Sequence, residues 1–384
     1  MIDNASLIPA EVTLPQAKHL RDARTFQGIP SVIQTPSGRL FCSWYSGGTD
    51  EGPENFIIVA YSDDCGKSWS DAVAVIEPED EFTRAFDPAI FVTPSGRVFL
   101  FWGQSYSPGN RKVIDNRCGV FFSELLNHDR PVYEWQWSKS KRITDGLMLN
   151  KPTVLKNGSI ALPIYVCRKN LVGAEEDTSI SGTKMYVSND EFQTFHEVGK
   201  SLMPLEEADF DEHSIVEKED GTLWMVIRSR NGNHETFSTD GGRTWSDPVK
   251  SAITGPCARL RIFRLKSGRL LLVNHLVSSD PEKYSHARKD LAAMLSDDDG
   301  KTWYGNLMLD SRSGVSYPDG MEGNDGFIYI VHDHERYLQG EVLLSRFTED
   351  DVKAGRLISP GSRLQMLISN TRGTGEAGAN VKIN

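Results

Sequence analysis

Apolar residues in this chain come in short runs broken by Gly, Asp and Asn, and no sustained helical period links them. The stretch from Asp211 to Trp245 shows the unit plainly. Ser214 to Lys218 and Thr222 to Ile227 flank a tight turn at Asp220-Gly221. A third run leads into Ser238-Thr239-Asp240-Gly241-Gly242-Arg243-Thr244-Trp245. Short runs rich in Val, Ile, Trp and Phe between such turns predict antiparallel strands. The one helical turn expected is Thr348 to Ala354.

The unit recurs six times. Its turn glycines are Gly38, Gly96, Gly158, Gly221, Gly268 and Gly326, at intervals of 47 to 63 residues. The first two sit in identical Thr-Pro-Ser-Gly-Arg segments, Thr35 to Arg39 and Thr93 to Arg97. A repeat of that length holds four short strands, which is a propeller blade. A second pattern keeps the same period. Ser-x-Asp-x-Gly-x-(Ser/Thr)-Trp occurs at Ser62 to Trp69, Ser238 to Trp245 and Ser296 to Trp303, with a worn copy at Ser188 to Phe195. The Asp can accept from backbone amides, the Gly permits positive φ, and the Trp packs between sheets.

Those copies are the Asp boxes of the sialidase (neuraminidase) superfamily, which the chain resembles from about Phe26 to about Phe347. The resemblance implies an all-β, six-bladed β-propeller, matching the six turns counted separately. One such domain is expected over residues 1–384, with 1–24 and 359–384 supplying a closing strand and tails. Mixing terminal strands in one blade would remove the open sheet edges.

Composition narrows the partners. A net charge of -11 argues against nucleic acid or an anionic membrane surface as the main partner. The five cysteines are scattered, without Cys-x-x-Cys, and read as free thiols. No signal peptide or membrane-spanning run is seen, which reads as cytoplasmic. No phosphate loop, metal-ligand spacing or Ser/His/Asp pattern stands out, so no cofactor is expected. The expected partner is a carbohydrate.

Aligning the repeats on their glycines collects chemistry at one end of the axis. Gly28-Ile29, Asp87, Lys151, Glu212, Arg259 and Tyr317 precede the glycines, and Trp44-Tyr45, Trp102, Tyr165, Arg228, His275 and Asp333 follow them. A propeller mouth this rich in charge is a candidate binding site. The resemblance implies that Tyr317 is a nucleophile, Glu212 its partner base, and Arg228 and Arg288 two arms of a carboxylate-binding Arg triad. Asp50, in Gly47-Gly48-Thr49-Asp50, stands where the family keeps its general acid. A tyrosine nucleophile avoids the repulsion that a carboxylate would meet from a substrate carboxylate. The bland alternatives are a packed Tyr317, a surface Arg288 and a solvated Asp50.

One departure stands out. Where sialidases open with Phe/Tyr-Arg-Ile-Pro, this chain reads Phe26-Gln27-Gly28-Ile29-Pro30. Losing that Arg removes a charge-assisted contact of roughly 1.5–3 kcal/mol. Arg24, near in sequence, and Arg259, near in repeat register, are the candidate replacements. A different acidic or neutral sugar is the other outcome, with His213, Lys151, Asp87 and Trp102 as further binding residues. The leading expectation is a retaining exo-glycosidase, weak on a generic sialoside. A uronate lyase and a non-catalytic glycan-binding propeller are the alternatives.

Overall fold

The computed structural model describes residues 5–108, 117–167, 179–276 and 287–371. Six antiparallel sheets follow one another along the chain, each led by an inner strand and the turn glycine after it. The six leading strands are Gln27–Gln34, Thr83–Val92, Thr153–Val154, His213–Glu217, Arg261–Arg264 and Val315–Glu322. Each turn glycine adopts positive φ, between 77° and 93°, which accounts for the residue type at all six. The structure is thus an all-β six-bladed propeller. Thr348 caps the short helix Glu349–Ala354 through Asp351, and among the described residues no helix is long and apolar enough to cross a membrane.

The terminal strands do not mix. Val12–Thr13 adds to the outer edge of the first sheet, and Arg363–Ser369 is the fourth strand of the sixth. Every sheet is therefore built from contiguous chain. The ring closes instead through bonds between neighbouring blades. Arg21 Nη2 donates to Ile368 O at 3.1 Å, Arg24 Nη2 to Ser369 Oγ at 3.0 Å, and Gln27 Nε2 to Gly340 O at 2.5 Å. Residues 372–384 of the expected tail lie outside the described residues.

Beneath the mouth lies a buried ionic hub. Asp319 Oδ2 pairs with Lys151 Nζ at 2.8 Å and accepts from Ser31 Oγ at 2.7 Å and Val32 N at 3.1 Å. Arg261 Nε stands 3.5 Å from Asp319 Oδ1. Ser31 Oγ in turn accepts from Ile90 N at 3.0 Å. Five blades thus meet around one carboxylate. The four Ser-x-Asp turns repeat one pattern of bonds: in the third along the chain, Asp240 accepts from Ser238 Oγ at 2.8 Å, Thr244 N at 2.9 Å and Thr244 Oγ1 at 2.7 Å. Trp69, Trp245 and Trp303 pack from these turns onto three different apolar clusters.

Candidate active site

Three inner strands break register once near their starts, between Gly28 and Ser31, Phe86 and Ala89, and Ser316 and Asp319. Each break takes up one extra residue, a bulge that re-aims a side chain. The bulged residues have positive φ: Ile29 at 54°, Asp87 at 50° and Tyr317 at 53°. Each precedes a proline, which has no N–H to lose from the ladder. Left-handed backbone costs a non-glycine residue roughly 1–2 kcal/mol. Tyr317 and Asp87 are held in that conformation by the blades around them.

Arg228 ties the site together. It rises from the strand Leu223–Ser229, and its Nη1 donates to Glu212 Oε1 at 2.6 Å and to Tyr317 Oη at 3.3 Å. Glu212 Oε2 is buried with no hydrogen-bond partner among the described residues. Phe210 lies under the Arg228 guanidinium at 5.1 Å, and Cys257 Sγ accepts from its Nε at 3.3 Å. Three more guanidiniums surround the Tyr317 ring: Arg259, Arg288 and Arg336, at 5.4, 5.0 and 4.9 Å from its centroid. Arg288 bonds Ser316 Oγ at 2.8 Å and Cys257 O at 3.0 Å, both neutral acceptors. Among the described residues Arg259 bonds only the carbonyls of Leu149, Tyr317 and Pro318. Among the described residues neither Arg259 nor Arg288 forms an ion pair with a carboxylate; Asp87 and Asp319 act on Arg259, and Asp333 on Arg288, only at longer range.

Burial pushes the Asp87 carboxyl up to about 7, against a smaller opposing pull from Arg84. Asp50 is exposed, and its Oδ1 accepts from the Glu51 amide at 2.6 Å. Its neighbour Glu51 turns inward, where Oε1 accepts from Tyr45 Oη and Arg336 Nη1, each at 3.1 Å.

Three residues expected at the binding surface are packed away instead. Lys151 points into the hub and pairs with Asp319. Trp102 has no exposure and stacks on Phe121, with centroids 6.1 Å apart. His213 is buried with Nε2 on the Lys184 carbonyl at 2.9 Å, and burial lowers it to about 4. Repeat counting gives a residue's height along a strand but not its face, and adjacent residues such as Glu212 and His213 take opposite faces. Neither proposed replacement for the missing arginine reaches the mouth: Arg24 bonds Ser369, and Arg259 lies behind Tyr317 on carbonyls. Arg336 and Glu51 escaped the count because both lie beyond strand ends, where repeat register stops. Among the described residues no cluster of His, Cys, Asp and Glu could hold a metal.

Residues 38–330 match the family described as the BNR repeat-like domain. The chain belongs to that family. No curated protein matches this BNR repeat-like chain significantly. Among solved structures, the Hadza microbial sialidase Hz136 is similar at 18% identity and TM-score 0.64, over 82% of this chain and 64% of that one. This chain thus spans less than two thirds of that sialidase's length. The intramolecular trans-sialidase from Ruminococcus gnavus matches at 15% identity and TM-score 0.62, over 91% of this chain and 99% of that one. The GH93 alpha-L-arabinofuranosidase of Fusarium graminearum matches at 11% identity and TM-score 0.58, over 90% and 98%. At these identities the likeness shows the fold, a sialidase-like propeller shared by glycosidases.

Proposed function

We propose that this BNR repeat-like protein is a retaining exo-glycoside hydrolase with Tyr317 as nucleophile. The observation that carries this reading is Arg228 Nη1 bonded to both Glu212 and Tyr317, with Glu212 Oε2 left unpartnered. A buried, unpaired carboxylate oxygen is an acceptor waiting for a proton. Tyr317 Oη attacks the anomeric carbon, and its proton passes to Glu212 Oε2. The glycosidic oxygen leaves with a proton from the first-blade loop, where Asp50 is the donor. Water then cleaves the tyrosyl glycoside, Asp50 takes the water's proton, and Tyr317 recovers its own from Glu212. Arg228 stabilises the charge shared between phenol and carboxylate.

Against the lyase alternative, one of its two bases, His213, is buried with Nε2 held on the Lys184 carbonyl, away from the mouth. The test is release of phenol from a panel of aryl glycosides, including a sialoside and neutral sugars, with uronate oligosaccharides followed in the near ultraviolet. The expected result is hydrolysis of one aryl glycoside, reduced about a thousandfold or more in kcat by Tyr317→Phe. Undiminished turnover by Tyr317→Phe, or an unsaturated product, overturns the reading.

A further inference from the structure

Gly28 does not have positive φ, unlike the turn glycines, so its backbone would accept a side chain. What excludes one is Arg336. A Cβ on Gly28 would lie 2.1 Å from Arg336 Cδ and 2.5 Å from Cγ. The glycine makes room for the stem of an arginine arriving from the sixth blade. That arginine is built in: Nη1 bonds Glu51 Oε1 at 3.1 Å, Nε lies 3.6 Å from Asp333 Oδ2, and the guanidinium stacks on Tyr317 at 4.9 Å and Tyr337 at 5.7 Å. Asp333 Oδ2 is itself fixed by the Ile29 amide at 2.8 Å. Arg336 Nη2 makes no hydrogen bond among the described residues.

We infer that Arg336 is the third arm of an anion clamp with Arg228 and Arg288, and that the clamp takes a sugar bearing a carboxylate on the carbon Tyr317 attacks. The sequence loses an arginine at position 28 and regains its charge from position 336, through a different backbone. Glu51 and Asp333 orient the new arm, while Arg288 brings a guanidinium whose bonds among the described residues go to the neutral Ser316 Oγ and Cys257 O. A neutral sugar would leave that charge unanswered beside the phenol, whereas a carboxylate matches it. This inference rests on Tyr317 as the attacking group, so its test is made on binding, which does not need turnover.

The probes are the 2,3-dehydro acids of N-acetylneuraminate and of its deaminated analogue, each beside its methyl ester, titrated by calorimetry. The wild type is expected to prefer acid to ester. Arg336→Ala should weaken acid binding about ten- to a hundredfold and leave the ester nearly unchanged. Gly28→Arg alone should collide with Arg336 and lose affinity, and Gly28→Arg with Arg336→Ala should recover most of the acid preference. A purely structural Arg336 would move Tm and both ligands together. Equal acid and ester binding, no binding of either acid by the wild type, or an Arg336→Ala protein that keeps its acid preference overturns the clamp. Tyr317→Phe should retain acid binding. If it does while no glycoside is cleaved by the wild type, the clamp stands and the hydrolase reading falls.

Discussion

Asp87 carries two costs at once, left-handed backbone at φ 50° and a carboxyl shut away from water. Burial raises its proton affinity, so the folded form titrates near 7 and the unfolded form near 4. Between those values the folded state holds a proton that the unfolded chain has released. Stability from this group is therefore present at low pH and is lost as pH rises from about 4 to about 7. Asp87→Asn has no such proton, so its unfolding free energy relative to wild type should climb across that window, toward an advantage on the order of a few kcal/mol, and its Tm should rise with it. A difference that stays flat with pH would show that Asp87 ionises normally. At this scale the sequence was partly legible. Tyr317, Glu212 and Arg228 could be read from family spacing, and the structure brings them into one bonded group. Arg336 could not, because the link to Gly28 runs through space between blades six and one rather than through any motif.

Turns carry the repeat from one blade to the next. In the Ser-x-Asp turns the aspartates sit at the surface, and their bonds to Ser and Thr neighbours keep them acidic: Asp190, Asp240 and Asp298 are drawn down to about 2, chiefly by the hydroxyls of Thr194, Thr244 and Thr302. A lowered carboxyl contributes stability above its unfolded value, and that contribution goes as pH falls from about 4 to about 2. Acid unfolding should therefore steepen in that range. Asp240→Ala should lower Tm at neutral pH and make the acid slope shallower; an unchanged slope would remove the turns from the acid response. The worn copy at Ser188 to Phe195 keeps the same bonds, with Asp190 accepting from Ser188 and Thr194. Sequence reading found these turns because all their bonds are local. It missed the bulges at Ile29, Asp87 and Tyr317, which exist only relative to the partner strand.

Across the whole molecule, the hub around Asp319 is where the ring is fastened. Removing one partner of a buried ion pair costs about 3–5 kcal/mol, because the charge left behind is uncompensated. Asp319→Ala strands both Lys151 and Arg261 and should lower stability by that order in denaturant titration. Adding Lys151→Met should recover part of the loss, and a double variant no better than the single one would rule out the ionic account. The blade count was legible from glycine spacing alone, since each blade repeats its own turn. Closure was not, since it depends on pairs such as Ile29 with Asp333, 304 residues apart. Because every blade is contiguous chain, each can pair its strands as soon as its own segment has been synthesised. Five sheets can form while the sixth is still in the ribosome, standing as an open arc. Locking that arc awaits Asp319 and Asp333, the last carboxylates to reach the first blade. Fastening the ring is then the step expected to be slowest in folding, and the mouth, which draws Tyr317 and Arg336 from that same final blade, can be completed only after it.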